Sequence, residues 1–165
     1  MTDRIVNIVI AGLGGQGIIT AADILALAAF VSGHDVKKAE VHGMSQRGGF
    51  VTSDVRYGRQ VLSPMVPPGE ADFLVIFDAG QLESALPMLR KGGRLLKAAA
   101  IDVPALPTAK AMNVAMMGML GAFLDLSESA WREGIKQNLP EKLHEANFKA
   151  FEVGRTAGEK EKTHA

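Results

Sequence analysis

A run of β-branched residues, Ile5 to Ala11 (IVNIVIA), passes directly into GLGGQG at Gly12–Gly17, and that turn opens a helical pattern from Ile18 to Ser32. An apolar run without alternation is the mark of a strand covered on both faces of a parallel sheet. The glycines then permit a tight turn into the helix. Gly33 stops that helix, and Asp35–Val41 reads as a second short strand. Strand, glycine turn, helix and strand make one βαβ unit, which implies a right-handed crossover. The expected class is therefore α/β with a mostly parallel sheet.

The alternation is then interrupted. Phe50–Tyr57 (FVTSDVRY) mixes polar and β-branched residues. Gly58-Arg59-Gln60 offers a turn and Val61-Leu62 a returning strand, so an inserted β-hairpin is expected here. Met65–Gly69, with Pro67-Pro68, is a loop. Phe73–Phe77 is another buried strand, Gln81–Arg90 a helix, Gly92-Gly93 a turn and Arg94–Lys97 a strand. Ala100–Val103 looks like one more strand start. Neighbouring parallel strands need a crossover of about a dozen residues or more, and none fits between Lys97 and Ala100. Either this is one bent strand, or a connecting segment is absent from the chain. The C-terminal third is helical: Ala109–Leu126, a helix capped by Ser127 running to about Asn138, and Pro140–Gly154. Residues 1–158 are expected to form a single domain, and 159–165 a charged, frayed tail.

Composition removes several functions. Lys plus Arg equals Asp plus Glu at 18 each, so the surplus of positive charge that nucleic-acid binding needs is missing. There are no cysteines, which excludes disulfides, thiolate-held zinc and cysteine-ligated iron–sulfur clusters in this chain. His34, His42, His144 and His164 are scattered, so no metal site is indicated. The N-terminus carries an acid and does not read as a signal peptide. Met112–Leu126, the most apolar later stretch, falls short of the roughly 20 residues that span a bilayer. A cytoplasmic protein without membrane contact is expected.

Two glycine-rich stretches carry the candidate site. Gly12, Gly14, Gly15, Gln16 and Gly17 fit a G-x-G-x-x-G turn, where backbone N–H groups and a helix N-terminus favour an anion. A dinucleotide site also wants an acid at the end of the second strand, where Glu40 stands. The plainer reading is that the glycines only let strand and helix pack tightly. The second stretch, Glu40–Val51 (EVHGMSQRGGFV), holds His42, Gly43, Ser45, Gln46, Arg47, Gly48 and Gly49. Arg47 can grip a carboxylate or phosphate bidentately, and His42 can carry a proton. The bland alternative is an ordered loop whose arginine pairs with an acid on a neighbouring subunit. No nucleophile–base pair or paired carboxylates accompany them, so no catalytic residue is assigned. Met112, Met116, Met117 and Met119, at helical spacing, predict core or subunit contact.

The order of "IAGLGGQGI", "VHGMSQRGGFVTSDVR", "SPMVPPGEADFLV", "NVAMMGMLGAF" and "NFKAFEVG" resembles the gamma-type subunits of 2-oxoacid:ferredoxin oxidoreductases, and most of all the indolepyruvate oxidoreductase beta subunit. The resemblance spans nearly the whole chain. It implies a Rossmann-like α/β fold and a share in the oxidative decarboxylation of a 2-oxo acid to acyl-CoA, with ferredoxin as electron acceptor. It implies that thiamine diphosphate, magnesium and iron–sulfur clusters belong to partner subunits, and that coenzyme A is a co-substrate. The second glycine loop would then contact substrate, coenzyme A or a partner subunit. The isolated chain could pair as a homodimer. In one respect the chain departs from the family: the segment between Leu95 and Asn113 is short. The competing readings are a stand-alone NAD- or FAD-binding oxidoreductase, and a non-catalytic nucleotide-sensing or scaffold module.

Overall fold

A computed structural model describes residues 3–43 and 49–164. Its elements are β1 (Val6–Leu13), α1 (Ile18–Val31), β2 (Asp35–His42), β3 (Phe50–Gly58), β4 (Ala71–Ile76), α2 (Leu82–Ala85), β5 (Leu89–Lys97), α3 (Met112–Gly121), α4 (Glu128–Asn138) and α5 (His144–Thr163). The five strands form one sheet in the order β2-β3-β1-β4-β5. β1 and β4 are parallel, as are β4 and β5, while β3 runs antiparallel to both β1 and β2. Four strands therefore share one direction, as the mostly parallel expectation requires.

The expected hairpin exists, but with other partners. β3 returns along β2, from His42↔Val51 to Asp35↔Gly58. Val61-Leu62 is not a strand; it belongs to an irregular segment between β3 and β4. The βαβ unit of β1, α1 and β2 is present, with one strand inserted into it. β1 and β2 point the same way but are not neighbours, because β3 is wedged between them. The sequence pattern of β3 explains its place. Val51, Ser53, Val55 and Tyr57 alternate onto the α1 face, and Thr52, Asp54 and Arg56 onto the other. A strand hydrogen-bonded along both edges satisfies its backbone and tolerates such mixed side chains.

At the far edge, Ala71 pairs with Leu89 but Phe73 with Arg94, so β5 bulges between them. Gly92 lies in that bulge at φ +77°. The expected Gly92-Gly93 turn and the end of the Gln81–Arg90 helix are thus parts of a strand, and the helix shrinks to α2 flanked by single 3-10 turns. Both outer strands carry charge, Lys37, Lys38 and Glu40 on β2 and Arg90, Lys91 and Arg94 on β5, which discourages pairing of exposed edges. Ala100–Val103 is not a strand. Ala98–Ala100 and Val103–Ala105 are 3-10 turns leading from β5 toward α3, and the sheet needs no further crossover.

One sheet face is covered by α1, α3, α4 and α5. Ile8, Ile10, Leu25, Met116, Met117, Met119 and Trp131 make its fully buried centre. The methionines expected in core or contact positions are therefore core. The other face has a thin cover, chiefly Val66 and Ala85 over Val9, Leu74 and Ile76. Ser127 caps α4 by accepting from the Ala130 N–H at 3.1 Å. α5 runs on through Glu159 to Thr163, where a frayed tail was expected. No helix among the described residues is long and apolar enough to cross a membrane.

Candidate functional site at the C-terminal sheet edge

Because β1 and β2 run the same way, both glycine stretches end at the C-terminal edge of the sheet, where α/β folds place ligands. β1 and β3 are paired out to Leu13↔Phe50. Beyond that, the Gly14 N–H donates to the Gly49 carbonyl at 2.8 Å, and the Gly43 N–H to the Phe50 carbonyl at 2.6 Å. Glycine turn and hairpin tip are therefore stitched together by backbone. His42 ends β2 and is exposed. Ser45, Gln46, Arg47 and Gly48 lie outside the described residues.

The first turn is packed from within. Gln16 does not point outward: its Oε1 accepts from the Leu13 N–H at 2.8 Å, and its Nε2 donates to Asp78 Oδ2 at 3.4 Å. A Cβ on Gly12 would lie 2.6 Å from that same Oε1. Gly17 stands at φ +78° as the residue preceding α1, and a Cβ there would come within 2.5 Å of the Asn113 side chain. Asn113 Nδ2 donates to the Gly17 carbonyl at 3.3 Å. Gly15 is at φ +89° with open space around it, and Gly14 is exposed with no positive φ. Two demands are thus separated. Gly12 and Gly17 serve the junction of strand, helix and α3. Gly14 and Gly15 present bare backbone to the edge, beside the first N–H groups of α1, which no side chain caps.

Asp78 and Asn113 were not singled out from sequence. Asp78 follows β4, and its Oδ1 accepts from the Gly80 N–H at 2.9 Å. A lone acid after a strand and a lone asparagine at the start of an apolar helix give no local signal, because their partners lie far away in the chain.

Glu40 is not placed like the acid of a dinucleotide site. β3 separates its strand from β1, which doubles the spacing from about 4.8 Å to roughly 10 Å. Its carboxylate takes a hydrogen bond from Lys38 Nζ at 2.7 Å, and Lys38 also pairs with Asp23 on α1. Burial disfavours the charge on Lys38, but the bonds to Asp23 and Glu40 outweigh it and raise its pKa. No cluster of three or more potential metal ligands occurs among the described residues.

Residues 7–157 match the family described as pyruvate ferredoxin/flavodoxin oxidoreductase. The chain is 34% identical to the indolepyruvate oxidoreductase subunit IorB of Thermococcus kodakarensis, over 90% of this chain and 93% of that one. That alignment runs over 188 positions, more than the 165 residues here, so the relative holds segments that this chain lacks. Identity reaches 49% with the subunit of the same name from Pyrococcus horikoshii, over 53% of this chain and 43% of the relative. The fold is that of the keto/oxoacid ferredoxin oxidoreductase gamma subunit from Geobacter sulfurreducens, with a TM-score of 0.79 at 24% identity over 93% of this chain and 98% of that one. The chain belongs to the pyruvate ferredoxin/flavodoxin oxidoreductase family.

Proposed function

We propose that this chain is the gamma-type subunit of a 2-oxoacid:ferredoxin oxidoreductase of the indolepyruvate kind, working in the cytoplasm. The family match across residues 7–157 carries this reading. In the reaction the bond between the carboxyl and keto carbons breaks, carbon dioxide leaves, the acyl group joins the coenzyme A thiol, and two electrons go to ferredoxin. Thiamine diphosphate, magnesium and the iron–sulfur clusters reside in partner subunits. That division suits a chain without cysteine, which has no thiolates to hold a cluster.

The chain's own part is to present the stitched glycine loops. The Gly14 N–H is held by the Gly49 carbonyl, so the donors on offer are the Gly15 N–H and the uncapped first N–H groups of α1, a helix N-terminus that favours an anion such as a carboxylate or a coenzyme A phosphate. Gln46 and Arg47, which lie between β2 and β3 in sequence, supply directional donors to that anion or to the partner, together with His42, Gly43, Ser45, Gly48 and Gly49 as contact residues.

Reconstitution with the thiamine-carrying subunit tests this. The chain alone, supplied with thiamine diphosphate, an artificial acceptor and indolepyruvate, is expected to be inert, and the complex active. Arg47→Ala should keep its circular dichroism spectrum while assembly by gel filtration, or turnover of the complex, falls at least about tenfold, equivalent to about 1.4 kcal/mol. Wild-type assembly together with wild-type turnover would remove Arg47 from the contact. A complex with no activity on any 2-oxo acid would remove the functional assignment.

A further inference from the structure

At the opposite edge, where the parallel strands begin, lies an open cleft of about 910 Å³, within the range of small-molecule sites. It is separated from the glycine turn by the length of β1, roughly 20 Å at about 3.3 Å per residue. Its floor is the start of β1, β4 and β5, and its roof is the loop between α3 and α4.

The wall is charged in a specific way. Asp72, 7% exposed, takes the Arg4 guanidinium, Arg90 Nε at 2.7 Å and the Asn7 backbone N–H at 2.8 Å. Asp72 is thereby saturated and fixes two arginines. Arg94 has no acidic partner among the described residues; its guanidinium lies 4.4 Å from the centre of the Phe123 ring. Three arginines face Asp72 and the exposed Asp125, which leaves a net positive charge of one. Phe73, Phe123 and Leu124 add apolar surface.

Tyr57 supplies the second, independent observation. It is 4% exposed, it lines the cleft, and its hydroxyl has no hydrogen-bond partner among the described residues. Burial, reinforced by Asp125 and Asp72, raises its pKa, so the phenol stays protonated and is a donor. Its ring rests against His34, centroids 5.0 Å apart, whose buried Nδ1 is also unpartnered. The Tyr57 hydroxyl is not among the buried atoms left without a partner, so it opens on the cleft, where an acceptor carried by a ligand can reach it.

We propose that this cleft binds a small organic monoanion, a carboxylate with a flat apolar body. Arg94 meets the carboxylate, the Tyr57 hydroxyl donates to it, and Phe73 and Phe123, whose rings pack on each other at 6.2 Å between centroids, form one apolar wall for the body. The site is distinct from the C-terminal edge; binding by the free chain does not depend on the function proposed above, and only the assembled arm of the test rests on it.

The probe is phenylacetate, with phenylacetamide as its uncharged counterpart, titrated by calorimetry against the full chain, alone and assembled with its thiamine-carrying subunit. Saturable one-site binding is expected in both, at least about tenfold weaker for the amide, a difference of about 1.4 kcal/mol. Arg94→Gln should weaken phenylacetate binding about tenfold and Tyr57→Phe several-fold. Leu124→Trp, which fills the cleft from a surface loop, should abolish binding with the circular dichroism spectrum unchanged, and it serves if Arg94→Gln does not fold. Four results would each overturn the proposal: no saturation up to about 10 mM, a range beyond weak millimolar affinity; equal binding of acid and amide; unchanged affinity in a folded Leu124→Trp chain; or binding by the free chain that vanishes on assembly. The last would make the cleft a partner-contact surface.

Discussion

Asp54 lies 5% exposed in the middle of β3, with its Oδ2 accepting from the Val66 N–H at 2.9 Å. Burial raises its pKa, and the Val66 N–H and Arg56 only partly offset that rise. A carboxyl with a higher pKa folded than unfolded holds its proton more tightly in the folded chain. Its charge therefore weakens the fold as pH rises from about 4 through the folded-state pKa. Asp54→Asn keeps an acceptor for Val66 and removes the titration. The stability of Asp54→Asn relative to wild type, from urea melts, is expected to improve as pH rises from about 4 and to level off above the folded-state pKa. A difference independent of pH would mean that Asp54 is not disfavoured as an anion. Gln16 makes the complementary point. As a residue type beside glycines it suggests ligand contact, but its amide is spent on Leu13 and Asp78. Nothing local in the sequence announces a partner 62 positions away.

Among elements, α3 and α5 make the tightest junction. α3 (MNVAMMGMLG) is apolar nearly all round and is buried nearly all round, as such a helix must be. It lies against α5 at Gly118 and Gly154. A Cβ on Gly154 would overlap the Ala115 carbonyl, and one on Gly118 the Phe151 carbonyl. Backbone cannot swing aside as a side chain tip can, so the two helices would have to separate. Gly154→Ala is expected to destabilise by about 1–3 kcal/mol or more, despite alanine's better helix propensity. Chemical denaturation measures it, and a neutral or stabilising change would show that the helices are not this close. Four of the helices were legible, and the α1 stop at Gly33, at φ +92°, and the Ser127 cap both stand where the sequence puts them; the expected Gln81–Arg90 helix was not, since its last residues belong to β5. Strand partners were not. Val61-Leu62 and β2 are both plausible mates for β3, and only the continuous ladder from His42↔Val51 to Asp35↔Gly58 decides between them.

For the whole molecule, the insertion of β3 bears on function. A dinucleotide fold needs its second strand beside its first, so that the acid at the strand end reaches the ribose. Here β3 occupies that position, and Glu40 is engaged by Lys38. The chain is therefore expected to show no saturable binding of NAD(H) by calorimetry or fluorescence. Micromolar binding that is lost in Glu40→Ala would restore the stand-alone oxidoreductase reading.

Local information was enough for the α/β class, the buried β1, the glycine turn, the caps and the apolar α3, because each depends on a period or a backbone preference that nearby residues impose. The ordered set of motifs was enough to point to the family. Strand order was a different matter, since pairing depends on which edges remain open once the helices have covered one face. The bulge at Gly92 likewise had to be a strand, because β4 supplies the ladder for the residues on either side of it. The stitched Gly14–Gly49 edge and the Arg94–Tyr57 cleft are also tertiary products. Their residues come from strands far apart in the chain, and their charge and burial acquire meaning only once folding sets them side by side.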